Sequence, residues 1–307
     1  MKYKNTDINI DERLLKKIEE KKRRLDSLRP LKEDVVKRIL EDIRIRYTYH
    51  SDAIEGNTLT LQETKLVLER GITIGGKPLK DHIEAKNDAD AFNLMINLVK
   101  DEKPISQKVI QQLNKIVTEG LLEDAGKYRI ANVRIAGSAT TPPSYVKIVS
   151  LMDGYTKDIT NLELEPIKKA AFIHHEFVFT HPFADGNGRV ARLLTNFFLM
   201  QNGYPPIILK QEDRGKYYST LQKADKGNIS PFAIFIAKAV NEALMYYLSS
   251  FIDEERLIPL KEMANYAPYS QEYLSLRARQ GELDAIKIEN IWYSSNRSLK
   301  SYLKKVK

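Results

Sequence analysis

Hydrophobic residues recur along most of the chain at the three- and four-residue spacing of amphipathic helices. Between Asp11 and about Arg46 charged residues alternate with leucine and isoleucine at this spacing, and Pro30 divides the stretch into two predicted helices. Its mixed acids and bases favour a solvated helical face over a nucleic-acid surface. Further helices are predicted at 47–56, 59–68, 81–100 and 190–200. The pattern indicates a mainly α protein.

The period changes to that of a strand in one internal segment, residues 127–149. Val133 and Ile135 alternate with polar residues, a turn-forming cluster follows at 137–143, and apolar residues resume at 145–146. This arrangement predicts a short β-hairpin.

The last fifty or so residues form a third kind of pattern. A short amphipathic helix is predicted at 260–266, and a second helix is capped by Ser270 and ended by Gly281. A small hairpin at 285–293 and a final helix at 296–304 follow. The order resembles winged helix-turn-helix and excisionase-like domains.

Arg277 and Arg279 stand on the second of these helices, where they could contact DNA. Residues 254–307 contain ten Lys plus Arg against seven Asp plus Glu, an excess of only +3. This excess is small for a DNA-binding surface, so DNA binding stays open against protein docking or dimerisation of the chain.

Composition narrows the class of protein. A chain of 307 residues can hold one sizeable core and one small appendage. The formal charge of +8 permits acidic partners without requiring them, and the lack of cysteine excludes disulfides and thiolate metal sites. The first ten residues lack an apolar signal core and no apolar run has the length of a membrane span. We therefore expect a cytoplasmic protein with no membrane partner.

A phosphate-binding loop is predicted where the 190–200 helix begins. Gly186, Asn187 and Gly188 allow the backbone to turn sharply and to direct consecutive N–H groups inward. Phosphate binds well at such a helix start. Arg189 and Arg192 are three residues apart, so both can project from the first turn towards different phosphates.

Two groups with further chemical roles lie in the same stretch of twelve residues. His181 has an ordinary pKa near neutrality and could accept a hydroxyl proton. Asp185 supplies the hard oxygen that Mg²⁺ prefers beside a polyphosphate. The stretch therefore predicts a site for phosphoryl or nucleotidyl transfer.

The segment His-Pro-Phe-Ala-Asp-Gly-Asn-Gly-Arg-Val-Ala-Arg at 181–192 resembles the Fic family motif, His-x-Phe-x-Asp/Glu-Gly-Asn-Gly-Arg-x-x-Arg, at every defining position. The resemblance implies a mainly α fold with a Fic-type helical core, a short β-hairpin flap and a small C-terminal winged-helix domain. The corresponding parts are an N-terminal helical region at 1–88, a catalytic core at 89–253 and the winged domain at 254–307.

The resemblance also implies an activity: protein adenylyltransferase, a nucleotidyltransferase that moves AMP from Mg²⁺-ATP to a Ser, Thr or Tyr hydroxyl of a target protein. His181 would be the general base and Asp185 the magnesium ligand. The nucleotide would be bound by Gly186, Asn187 and Gly188 at its α- and β-phosphates and by Arg189 and Arg192 at its β/γ end.

A second motif bears on regulation. Residues 51–56, Ser-Asp-Ala-Ile-Glu-Gly, fit the inhibitory signature Ser/Thr-x-x-x-Glu-Gly/Asn of many Fic proteins. By this resemblance Glu55 would pair with Arg192, repel the γ-phosphate and hold the resting enzyme in an autoinhibited state. Alternatives stay open: removal of AMP from a target, transfer of phosphate or phosphocholine, or a DNA-binding regulator whose core senses nucleotide.

Overall fold

Capping groups set the ends of the helices in the computed structural model, which describes residues 8–135 and 140–306. Asp11 accepts hydrogen bonds from two N–H groups at the start of α1, and Thr60 and Glu63 form a capping box at α3. The helices are α1 Glu12–Ser27, α2 Glu33–Glu55, α3 Leu61–Arg70, α4 Leu79–Lys100, α5 Gln107–Val117, α6 Ile148–Asn161, α7 Pro166–Thr180, α8 Asn187–Gln201, α9 Arg214–Asp225, α10 Ser230–Ser249, α11 Leu260–Met263, α12 Gln271–Arg279 and α13 Asn296–Val306. The prediction of a mainly α protein is confirmed.

Helix α2 is longer than the sequence indicated. We predicted one helix ending near Arg46 and a separate helix at 47–56, but a single helix runs from Glu33 to Glu55. No proline or glycine interrupts this stretch, and buried Tyr47 continues its apolar face against Phe92 of α4. The helix ends only at Gly56, which has a φ of 106°.

Helix α8 lies at the centre of the largest hydrophobic cluster. It contacts α2, α4, α5 and α7, and α10 packs against α7, α9 and α1. The residues of α8 from Val190 to Leu199 are all buried, so the position and direction of the α8 N-terminus are fixed by packing on several sides. Within residues 8–135 and 140–306, no helix combines the length and apolar character needed to cross a bilayer.

The N-terminal helices pack as part of this same cluster. Ile18 of α1, Ile39 and Ile54 of α2, and Phe92 of α4 are buried in it together with α8. The predicted division after residue 88 falls inside α4. The N-terminal region is therefore continuous with the core through buried apolar contacts.

The predicted hairpin at 127–149 is wrong for the described part of that segment. Neither 127–135 nor 140–149 contains a strand, and residues 136–139 at the predicted turn lie outside the described residues. The guanidinium of Arg129 donates to the carbonyls of Ala131 and Pro143, which would otherwise be available for strand pairing. A short 3₁₀ turn at Tyr145–Lys147 then leads into α6.

The C-terminal residues form a small unit with its own core. Strands β1 (Ile258–Pro259), β2 (Ala285–Ile288) and β3 (Ile291–Ser294) make an antiparallel sheet in the order β1-β3-β2. The predicted helices and hairpin are present, whereas β1 was not predicted because it has only two residues. Buried side chains of this core include Leu260, Met263, Leu274 and Leu299.

One of the two arginines considered for DNA contact is held against its own helix. The Arg277 guanidinium lies 4.8 Å from the centre of the Tyr273 ring, and its Nη1 donates to Gln280 Oε1 at 3.0 Å. Arg279 is exposed on the same helix. Whether this unit binds DNA or protein stays a prediction.

Buried polar contacts attach the C-terminal unit to the core. Lys21 of α1 is 3% exposed; its Nζ pairs with the Asp284 carboxylate and donates to Asn241 Oδ1 at 2.9 Å. Nearby, Arg24 of α1 pairs with the buried Glu255. The two ion pairs therefore hold the C-terminal unit against α1, and the hydrogen bond to Asn241 links the same site to α10.

We expect Asp284→Ala to destabilise the protein by about 3 kcal/mol, because it leaves the buried Lys21 ammonium without its counter-charge. Urea unfolding measures this loss against Glu282→Ala, which removes an exposed carboxylate two residues away. Equal unfolding midpoints for the two variants would contradict the importance of the buried pair.

Candidate active site

The loop before α8 is braced by the side chain of Asn187. Its Nδ2 donates to the Phe183 carbonyl at 2.9 Å, and its Oδ1 accepts from the Phe183 N–H at 3.0 Å. Gly186 has a φ of 79°, and a Cβ there would lie 2.9 Å from Thr118 Cγ2. Only glycine therefore fits this turn, and the loop reaches the helix start in one fixed conformation.

Asn114 of α5 also fixes the loop, through a hydrogen bond to its backbone. Its Nδ2 donates to the Asp185 carbonyl at 2.9 Å, while its Oδ1 accepts from the Gly126 N–H at 3.0 Å. The role of Asn114 is not predictable from the sequence, because an isolated asparagine in an amphipathic helix carries no local sign of its distant partners.

His181 lies at the entrance to the same loop. It adopts a left-handed backbone conformation with φ of 48°, and its N–H caps α7 by donating to Phe177 at 3.0 Å. The ring Nδ1 is 3.3 Å from the Val178 carbonyl, which can only accept, so Nδ1 carries the proton and Nε2 has a free lone pair. Burial lowers the pKa of His181 below its ordinary value.

The two motif arginines are almost fully buried, each 2% exposed. Arg189 Nη1 lies 3.4 Å from Glu84 Oε1 and its Nη2 lies 3.6 Å from Asp185 Oδ2. Burial disfavours the charge of Arg192, but the Glu55 carboxylate, together with Tyr217 and Tyr47, outweighs this effect and raises the arginine pKa. Both guanidinium groups therefore remain charged in a site of low dielectric constant.

Glu55, at the end of α2, lies against Arg192 and Gly188 of the loop and helix start. Its Oε1 is 2.8 Å from Arg192 Nη2, and the same arginine donates to the Ser51 carbonyl at 2.9 Å and to Ser51 Oγ at 3.1 Å. An added Cβ on Gly188 would collide with Glu55 Oε1. The glutamate thus lies directly against the loop that could bind phosphate.

The end of α2 is held in place on two sides. Arg214 Nε donates to the Ile54 carbonyl at 2.7 Å, and Asn57 Nδ2 donates to the Asp81 carbonyl at 3.0 Å. These contacts fix the position from which Glu55 reaches Arg192. Neither contact was expected from the sequence.

The environment of Asp185 fits a magnesium ion shared with a polyphosphate. Its side chain is 51% exposed, and its Oδ1 accepts from the Gly186 N–H at 2.6 Å. The described residues contain no cluster of three or more His, Cys, Asp or Glu side chains able to hold a metal by themselves. A single exposed carboxylate suits Mg²⁺, which often takes one or two protein ligands and fills its remaining positions with phosphate oxygens and water.

His174, seven residues before His181, has a supporting position. Thr195 donates its hydroxyl proton to the Ala191 carbonyl, so its oxygen accepts from His174 Nδ1 at 2.9 Å. The Tyr217 hydroxyl is 2.9 Å from His174 Nε2. Burial lowers the pKa of His174 well below its ordinary value, so the ring is neutral and links α7, α8 and α9.

The fold therefore brings residues from two distant parts of the sequence to one place. The loop before α8 and the two arginines contact the end of α2, and the His181 imidazole lies at the start of the same loop. The residues are His181, Asp185, Gly186, Asn187, Gly188, Arg189, Arg192 and Glu55. These features define a helical protein with a candidate phosphate-binding site at a helix N-terminus.

Comparison with known proteins identifies the family. Residues 104–199 match the model of the Fic/DOC family. A Fic domain containing signaling protein from Bacteroides thetaiotaomicron is similar in structure at a TM-score of 0.69 and 30% identity, covering 76% of this chain and 96% of that one. Residues 134–508 of Fic-1 from Caenorhabditis elegans are similar at a TM-score of 0.70 and 30% identity, covering 78% of this chain and 72% of that one. The chain belongs to the Fic/DOC family.

Similar sequences include the protein adenylyltransferase Fic of Nematostella vectensis, 33% identical over 246 residues that make up 78% of this chain and 57% of that protein. Protein adenylyltransferase fic-1 of Caenorhabditis briggsae is 32% identical over 247 residues, 78% and 48% of the two chains. The chain thus spans about half the length of these curated relatives.

We expect Asn187→Ala to loosen the loop, because it removes both side-chain hydrogen bonds to Phe183. The loss of two buried hydrogen bonds should cost about 2 kcal/mol of unfolding free energy. Hydrogen exchange should show that the Phe183 amide loses its protection, while amides in the middle of α10 keep theirs. An unchanged exchange rate at Phe183 would contradict the bracing role of Asn187.

Proposed function

We propose that this chain is a protein adenylyltransferase that transfers AMP from ATP to a hydroxyl side chain of a target protein. The observation that carries the proposal is the position of His181 beside a rigid loop at the N-terminus of α8, with Arg189 and Arg192 on its first two turns. The named activity of the relatives supports the same reaction.

His181 acts as the general base of this reaction. The hydrogen bond from Nδ1 to Val178 leaves Nε2 to accept the proton of the attacking hydroxyl. The hydroxyl oxygen forms a new bond to the α-phosphorus of ATP, and the bond from that phosphorus to the bridging oxygen breaks. Pyrophosphate leaves with the electron pair of that bond. Nothing is oxidised or reduced.

The loop and the arginines stabilise the nucleotide charge. The N–H groups at the start of α8 point into the loop, and the helix dipole favours negative charge there. Arg189 and Arg192 bind the β/γ end, and the carboxylate of Asp185 is the magnesium ligand. When bound, Mg²⁺ neutralises part of the charge on the phosphate oxygens. Phosphoryl-type transfer depends mainly on such positioning and charge stabilisation.

The resting protein is autoinhibited by Glu55. Its carboxylate occupies Arg192 and lies against Gly188, where it leaves too little room for a phosphate. It also repels negatively charged oxygens, so ATP is bound in a pose unsuited to in-line attack. Activation requires the end of α2 to withdraw from the loop.

An exposed apolar surface beside His181 suits a protein target. Ile130 is 82% exposed, Val146 is 69% exposed and Val149 is 66% exposed. The adjoining Arg129 donates to the His181 carbonyl at 2.8 Å, which places this surface next to the base. Exposed apolar groups of this kind commonly mark contacts with another protein.

A second candidate activity, removal of AMP from a modified target, uses the same residues. Glu55 lies near enough to His181 for its charge to act on that ring, and a carboxylate there could position a water molecule for hydrolysis. The two activities differ in what loss of Glu55 does. Transfer would increase, whereas removal would stop.

We expect Glu55→Gly to raise AMP transfer about 10- to 100-fold, because a hydrogen bond to a charged group contributes about 1.5–3 kcal/mol. The measurement is incorporation from α-³²P-labelled ATP into protein, with γ-labelled ATP as the control that should leave no label. His181→Ala in the same background should lower incorporation about 10²- to 10⁴-fold. Labelling that neither substitution changes would refute the mechanism.

The pH dependence of Glu55→Gly should report on His181. A general base must be unprotonated, and burial lowers the pKa of this histidine from its ordinary value of about 6.5. At saturating ATP, kcat should therefore rise with pH in the acid range and reach a plateau before pH 7, with a slope of at most about tenfold per unit. A midpoint above pH 7 would contradict the assignment.

A further inference from the structure

Two buried carboxyl groups lie behind the arginines and take no part in the mechanism above. Asp52 of α2 is 3% exposed and Asp88 of α4 is fully buried. Among residues 8–135 and 140–306, none of their four carboxylate oxygens accepts a well-formed hydrogen bond, although the Ser51 hydroxyl is close enough to Asp88 to lower its pKa. Burial of an ionised carboxylate without hydrogen bonds is costly, so these groups require another explanation.

Their surroundings are charged on three sides. Helix α8 presents two guanidinium groups, while α2 and α4 supply two further carboxylates and a phenol. The groups that act electrostatically on Asp52 or Asp88 are Tyr47, Glu55, Glu84, Arg189 and Arg192, with the Ser51 hydroxyl beside Asp88. Two positive groups thus face four acids in a space with little water.

This imbalance matters for a site that must accept a triphosphate. If all four acids were ionised, the cluster would be negative and would repel the phosphates. With Glu55 withdrawn and one proton on Asp52 or Asp88, the two arginines and the remaining acids balance. The charge that Arg189 and Arg192 offer to the nucleotide therefore depends on that proton.

The ionisation of the two acids is consistent with this account. Burial raises the pKa of Asp52 well above its ordinary range, and the charge of Asp88 raises it further. Burial also raises the pKa of Asp88, to about 6, against the lowering effect of Arg189 and Arg192. Two interacting carboxyls of this kind titrate as a pair, and the first proton is held to higher pH than either alone.

We propose that Asp52 and Asp88 hold one proton between them when nucleotide occupies Arg189 and Arg192, and that nucleotide binding is therefore linked to proton uptake by this acid pair. The pair acts as a positioning element, since it acts electrostatically on Arg189 and Arg192 and does not contact the reacting atoms. The inference rests on the proposed function, because it takes the arginine site to bind a triphosphate.

The direction of the linkage follows from charge. The phosphates bring negative charge close to the pair and stabilise its protonated form, so binding draws a proton from solution. Nucleotide affinity should consequently fall as pH rises above about 6, by at most about tenfold per pH unit for one proton. His181 does not produce this trend, since burial lowers its pKa and it is neutral in this range.

The test measures proton uptake directly. Calorimetric titration of full-length Glu55→Gly with Mg²⁺ and a non-hydrolysable ATP analogue, at pH 7 in two buffers of different ionisation enthalpy, gives the number of protons bound per nucleotide. Glu55→Gly/Asp88→Asn should take up fewer protons, because asparagine mimics the neutral acid. The matched control is Glu55→Gly/Asp90→Asn, which neutralises an exposed aspartate two residues further along α4.

The expected result is equal proton uptake by Glu55→Gly and the Asp90 control, a smaller value for the Asp88 variant, and a three- to tenfold loss of affinity from pH 6 to pH 8 that the Asp88 variant lacks. Protonation of the analogue itself contributes equally to all three and cancels. If Asp88→Asn fails to fold, as judged by circular dichroism, Asp52→Asn replaces it.

Identical proton uptake in all three proteins, with nucleotide bound in each, would overturn the role of the acid pair and leave the proposed function standing. Failure of every protein to bind the nucleotide would instead contradict the proposed function, and the inference with it.

Discussion

A buried positive charge on Arg192 is the constraint around which this structure is organised. The guanidinium is 2% exposed and cannot be left without a counter-charge in such a site. In this structure the Glu55 carboxylate supplies it, and the Ser51 carbonyl accepts a further hydrogen bond from the same guanidinium. A nucleotide phosphate could supply it equally well, so the protein has two stable ways to satisfy one group. Under the proposed function, inhibition and catalysis are competing solutions to the same electrostatic requirement.

The fold makes this competition possible by placing the end of α2 against α8. Helix α8 is packed on several sides, so Arg192 cannot move far. At the end of α2, Arg214 donates to the Ile54 carbonyl, and Asn57 donates to the Asp81 carbonyl and to the Glu84 carboxylate. The movable partner in the proposed mechanism is the end of α2, where the Glu55 side chain is 33% exposed, rather than α8, whose residues from Val190 to Leu199 are all buried.

Local sequence predicted the parts of the structure that depend on neighbouring residues. The motif at 181–192 is contiguous, so its turn and helix start could be predicted from glycine and arginine spacing. Long-range partners could not be predicted: Asn114 and Asp88 acquire their roles only through contacts made by folding. The hairpin prediction failed for a similar reason: the alternation at 133–135 gives no sign that the Arg129 side chain binds the carbonyls of Ala131 and Pro143, which lie just before the two predicted strands.

We propose that Glu55 and a nucleotide phosphate compete for Arg192. Crystal structures of the wild-type chain and of Glu55→Gly, each with Mg²⁺ and a non-hydrolysable ATP analogue, would show this competition. We expect that only in the variant does Arg192 contact a phosphate while the α-phosphorus faces His181 Nε2. The same nucleotide pose in both crystals, with Glu55 still paired to Arg192 in the wild type, would contradict it.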